Sequence, residues 1–148
     1  MKNKYYTPEL EEFHIGFEYE VLMVLDQDTW DNTKISKEGF NQNFDRILNH
    51  PEQCRVKYLD KEDIESFGFR RNGRSIDDWY YLNKTVERAL SAHRDYSISI
   101  QHDFDTNQGI VIRGFEWEDL KGTEETLYRG TCKNKSEFKK LMKQLNIC

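Results

Sequence analysis

An α+β fold, one domain built mainly on antiparallel sheet with inserted helices and an amphipathic C-terminal helix, is the class this sequence predicts. Three observations point there. Short segments alternate apolar and polar residues, as Phe17-Glu-Tyr-Glu-Val21 does near the N-terminus, which sends successive side chains to opposite faces of a strand. Turn residues separate these segments at short intervals, without the regular strand–helix alternation of a parallel sheet. The last segment then changes period: Phe138, Leu141, Met142 and Leu145 recur at three and four residues, the stripe of a helix with one buried face.

The length of 148 residues suits a single core. Only 36% of residues are hydrophobic and 33% are charged, but 14% are aromatic, and each buried ring removes about 150–250 Å² from water. A few rings can therefore stabilise a core that is thin by residue count. Two prolines and no Ser/Gly-rich run argue against linkers. The net charge of −5 disfavours binding to a nucleic acid polymer, which calls for a basic excess or a basic face. Cys54, Cys132 and Cys148 are odd in number and contain no Cys-x-x-Cys pair, so they are expected as free thiols in a reducing compartment. No apolar run approaches the roughly 20 residues that span a bilayer. A cytoplasmic protein with no membrane partner is the expectation.

The segments follow in order. Thr7-Pro8 should open a short helical turn, with acids at its positive end. Phe13 to Leu25 should form a long strand, half-buried at first and covered on both faces in its last part. Asp26-Gln-Asp is a turn, and Thr29 to Ile35 the returning strand. Ser36 can cap a helix running to Asn49 with Phe40, Phe44, Ile47 and Leu48 as its stripe. Cys54 to Leu59 alternates as a strand, after which Asp60 caps a short helix, 61–66, closed by Gly68 at positive φ. Asn72-Gly73 signals a two-residue hairpin turn, its second arm running into Trp79 to Leu82. Residues 84–93 favour a helix. Tyr96 to His102 and Gly109 to Phe115 form a second hairpin, and Thr126 to Cys132 a further strand after a loop through Trp117 and Gly122. Ser136 caps the final helix.

Three stretches resemble small uncharacterised proteins of phages of gut Bacteroides-type bacteria, crAss-like phages included: Tyr6 to Glu20, with Thr7-Pro-Glu-Leu-Glu-Glu-Phe-His-Ile-Gly-Phe17 at its centre; Arg55 to Phe69, with Leu59-Asp-Lys-Glu-Asp-Ile64; and Asn134 to Ile147. Together they cover under a third of the chain. That family has no assigned reaction, so the resemblance implies a setting and no site residues. The setting is an accessory protein acting inside an infected bacterium, where counter-defence works by binding a host protein or sequestering a signalling molecule.

Arg70, Arg71 and Arg74 flank Asn72-Gly73, and Trp79, Tyr80 and Tyr81 follow. Guanidinium groups grip phosphate in bidentate fashion and aromatic faces stack on bases. Arg70, Arg71, Arg74, Trp79 and Tyr81 are thus the candidate ligand-binding residues, with Tyr80 on the opposite strand face. The plain alternative is a solvated turn beside core aromatics. Glu18 and Glu20 share a strand face with His14 and could serve acid–base or metal chemistry; an acidic exposed face is the commoner outcome of such a pattern. Asp103-Phe-Asp-Thr-Asn echoes a calcium loop, but Gln108 stands where glycine is required and Gly114 where a bidentate Glu belongs. No cofactor or metal is expected.

The leading functional expectation is a non-catalytic accessory protein that binds a nucleotide-like anion or a host factor. The alternatives are a small metal-dependent hydrolase using Glu18, Glu20 and His14, and a structural module that self-associates as a homo-oligomer.

Overall fold

Nine strands in two antiparallel sheets, with three α-helices, make up the described parts of the computed structural model, which cover residues 4–24, 28–37, 44–71, 79–86, 94–102, 109–118 and 121–147. The α+β class, the antiparallel pairing and the C-terminal helix are as the sequence predicts. No helix among the described residues is long and apolar enough to cross a membrane. The chain forms two compact units, one of residues 1–58 with 134–136, the other of 59–133 with 137–148.

In the first unit, β1 (Tyr5–Tyr6), β2 (Glu18–Val24), β3 (Thr29–Lys34) and β4 (Cys54–Lys57) lie in the order β1-β4-β2-β3. Alternation along β2 and β4 buries Tyr19, Val21, Cys54 and Val56, which join Phe17, Ile35 and Ile47 in one cluster. Phe13 packs edge-on to Phe17 and Tyr19, with ring centroids 5.3 and 5.2 Å away, the geometry that the ring quadrupoles favour. The segment 134–136 closes this unit: Asn134 Nδ2 donates to the Tyr6 hydroxyl at 2.9 Å, and Ser136 Oγ accepts from the Glu18 N–H at 3.1 Å.

Several local expectations change here. The long strand begins at Glu18 because the chain turns just before it: the Phe17 N–H donates to the His14 carbonyl at 2.9 Å, and Gly16 takes φ +92°, where a glycine is needed. Its far end is not covered on both faces, since Met23 and Val24 are 54% and 45% exposed. β4 pairs only with Glu20 and Val21, so beyond that point β2 has a partner on one side alone. The opening turn is a 3₁₀ turn, Leu10–Glu12, with Glu9 rather than Thr7 at its N-cap. The helix expected from Ser36 is described as α1, Phe44–Asn49. Only Ile47 of its stripe is buried, while Phe44 and Leu48 are exposed; Phe40 lies outside the described residues.

The second unit opens with α2 (Lys61–Glu65), capped as its sequence demands. Asp60 Oδ1 accepts from the Asp63 N–H at 2.9 Å while the Asp63 carboxylate accepts from the Asp60 N–H, a reciprocal box that satisfies two otherwise orphaned donors. Gly68 at φ +88° closes the helix. A five-stranded meander follows, β5 (Arg70–Arg71), β6 (Trp79–Val86), β7 (Arg94–His102), β8 (Ile110–Glu118) and β9 (Lys121–Gly130), in sequential spatial order. One face carries Tyr80, Ile98, Ile100, Ile110 and Ile112 into a core completed by Phe138, Leu141 and Met142 of α3 (Lys135–Gln144). Phe67 and Phe69 meet Phe138 edge-on at 5.1 and 6.2 Å.

Three further expectations give way to pairing. Residues 84–86 extend β6 and pair with 94–96 of β7, so cross-strand bonding overrides the local helix preference; 87–93 lie outside the described residues. Trp117 and Gly122 are not in a loop but opposite one another at the end of β8 and β9. The Asn72-Gly73 turn and Arg74 lie outside the described residues, but Arg71 pairs with Tyr80, a wider register than a two-residue turn would leave. Ser136 lies inside the first turn of α3 rather than at its cap.

The packing predicts two stability effects. Phe138 is fully buried at the meeting point of two other rings, so Phe138→Ala should lower unfolding free energy by about 3–5 kcal/mol in a denaturant titration. Asp60→Ala should cost about 1 kcal/mol through the lost cap, and Asp60→Asn should recover most of it.

Candidate functional site

The outer face of the five-stranded sheet is built by the same alternation that builds the core. Tyr81 follows buried Tyr80 on β6 and is 37% exposed. It stands directly opposite Arg70 on β5 and Ser99 on β7, and Ser99 in turn stands opposite Arg113 on β8. Directly opposed residues share a face, so Arg70, Tyr81, Ser99 and Arg113 form one cross-strand row. At about 4.8 Å between strands, the row runs about 14 Å from β5 to β8. Arg113 Nε lies 3.2 Å from Glu124 Oε1, with the arginine side chain 24% exposed and the glutamate 50%. Ser99 Oγ is shielded from water and has no hydrogen-bond partner among the described residues.

The candidate residues separate accordingly. Arg70 and Tyr81 come together. Arg71 is the next residue along β5 and pairs with Tyr80, which puts it on the other side of the strand. Trp79 is described by its backbone, opposite Gln101, and Arg74 lies outside the described residues. Ser99 and Arg113, brought into the row by pairing, were not candidates from sequence; they sit in unremarkable alternating segments, and nothing local marks them.

The acidic constellation does not assemble. The turn at Gly16 takes His14 out of the strand, and its Nδ1 lies 2.8 Å from the Glu12 carbonyl oxygen. Glu20 is ion-paired to Arg55 Nε at 2.5 Å. That arginine's guanidinium also lies 4.0 Å from the ring centres of both Tyr5 and Trp30, a cation stacked between two aromatic faces. Such a neighbour leaves Glu20 a counter-ion rather than a base. Among the described residues no group of three or more His, Cys, Asp and Glu side chains could hold a metal ion; the calcium-like loop lies outside them.

Cys54 is buried and free. Burial pushes its thiol above the ordinary range, with Arg46 acting the other way and Glu52 adding to the rise, which favours the protonated thiol over the nucleophilic thiolate. The pH dependence has a definite sign. The folded state prefers the protonated thiol, so the stabilisation is complete below the unfolded thiol's pKa of about 8.5 and is lost as pH rises beyond it. Cys54→Ala should therefore flatten part of the decline in urea midpoint between about pH 8 and 10; an unchanged slope would show that Cys54 ionises equally in both states.

Comparison of the chain with family models, with curated proteins and with solved structures gives no match.

Proposed function

We propose that this protein is a non-catalytic accessory protein that binds and sequesters a phosphate-bearing, nucleotide-like anion on the outer face of its five-stranded sheet, in the setting of phage counter-defence inside a bacterial cell. The observation that carries this reading is the row Arg70, Tyr81, Ser99 and Arg113, in which a half-exposed aromatic ring and a hydroxyl stand between two guanidinium-bearing positions. An aromatic face accepts a base by stacking, worth about 1–3 kcal/mol. Guanidinium groups pair with phosphate through parallel N–H donors. A hydrolase reading loses support because Glu20 is committed to Arg55 and His14 lies beyond a turn. Of the five candidate residues, Arg70 and Tyr81 belong to this site; Arg71 belongs to the opposite strand face.

Isothermal titration with nucleoside monophosphates, cyclic mononucleotides and dinucleotides tests the reading. At least one class should bind and be recovered unchanged. Tyr81→Ala should weaken that binding at least fivefold, the lower bound of a lost base stack, and Arg70→Ala by a similar factor. Arg71→Ala should leave it intact. Equal affinity in the wild type and the Tyr81 and Arg70 variants would remove the site.

A further inference from the structure

Two cations of the outer sheet face stand at its opposite edges. Arg70 lies on β5 and Arg129 on β9, the first and last strands of the meander. Arg129 is opposite Val111, Val111 opposite Gln101, and Gln101 opposite Trp79, two residues before Tyr81 on β6. Opposed residues share a face, so Arg129 is on the same side as Tyr81 and Arg70. Both arginines are exposed, and neither has a hydrogen bond or ion pair among the described residues. Between them lie exposed Tyr81, half-buried Gln101 and half-buried Val111. They offer a ring for stacking, an amide with donor and acceptor for a base edge, and an apolar floor. Four strand spacings of about 4.8 Å and one two-residue step of about 7 Å separate the two arginine positions, about 20 Å in all. A single nucleotide does not span that distance, since successive phosphates of a stacked strand advance only about 3.4 Å.

We propose that the ligand of this face is a short single-stranded oligonucleotide, about six nucleotides long if stacked, laid across the strands with one phosphate on Arg70, a base on Tyr81 and a distant phosphate on Arg129. The inference rests on the sheet face proposed above as the ligand site, and adds to it the length of the ligand and the residue that measures it. A mononucleotide engages only the end made by Arg70 and Tyr81. Nucleotides beyond Arg129 leave the face and meet a protein of net charge −5, so affinity stops rising once the face is spanned.

A length series of 5′-phosphorylated oligodeoxyadenylates, from the mononucleotide to about ten nucleotides, titrated at fixed and then varied salt tests this. Affinity should climb with length to about six nucleotides and then level off. Arg129→Ala should weaken the six-nucleotide probe about two- to fivefold, the range that an exposed ion pair commands, and lower its salt slope by about 0.7. The same variant should leave the mononucleotide unaffected, whereas Arg70→Ala and Tyr81→Ala should weaken every length. Lys139, exposed on α3, packs its helix against the other side of the sheet, so Lys139→Ala removes the same charge without touching the face and should change nothing. If the mononucleotide binds through Arg70 and Tyr81 but longer probes bind no tighter, the span is overturned while the ligand site stands. Equal losses from Arg129→Ala and Lys139→Ala reduce the effect to net charge and overturn it too, as does affinity that keeps rising through ten nucleotides. If six nucleotides bind through Arg129 while Arg70→Ala and Tyr81→Ala have no effect, or if no length binds at all, the ligand site falls and the span with it.

Discussion

Strand alternation in the five-stranded meander is the constraint on which most of this molecule depends. On β7 and β8, Ile98, Ile100, Ile110 and Ile112 point to one side and join Phe138, Leu141 and Met142 in the core, while Ser97, Ser99, Gln101 and Arg113 point to the other. Ile98 and Ile100 are buried while Ser97, Ser99 and Gln101 between and beside them are not. A register shift of a single residue would exchange these two sets and expose the isoleucines. Burying the core face therefore fixes which residues form the outer face.

The two halves of the row differ in how they are held. Tyr81 and Ser99 sit on interior strands with neighbours on both sides. Arg70 sits on a two-residue edge strand, where fewer backbone bonds fix it. Arg113 also sits on an interior strand, between β7 and β9, and its Nε meets Glu124. Along β9, the register slips by one residue opposite Ile112 and Arg113, and this bulge turns Glu124 to the side of Arg113 while Tyr128 stays on the core side. Without the extra residue, one of these two positions would be on the wrong face.

Glu20 of the first unit is paired within its own sheet. The stack of Tyr5, Arg55 and Trp30 with Glu20 spans all four strands of its sheet. It explains how a segment dense in acidic residues carries a partly covered carboxylate: the guanidinium offers a bidentate-capable cation, and the rings shield it from water. The same stack shows why acidic residues two apart on a strand are weak evidence for catalysis. Their partner comes from another strand 35 residues away in sequence.

Local chemistry alone settled the features that need only local chemistry. Asp60 with Asp63 makes a capping box within four residues, Gly68 supplies a positive φ to its own turn, and the Phe138, Leu141 and Met142 stripe follows from helical periodicity. The alternating segments of β2, β4, β7 and β8 were legible for the same reason, and Arg70 and Tyr81 could be singled out by type. What only the tertiary structure decided is everything set by pairing across strands: that 84–86 extends a strand, that Arg71 meets Tyr80 rather than Arg74, that Arg70 and Arg71 part to opposite faces, and that Ser99 and Arg113 join Tyr81. Residue type and spacing fix which side chains share a face of one strand, but the register between strands comes from burying one whole sheet face at once, a condition no single segment contains.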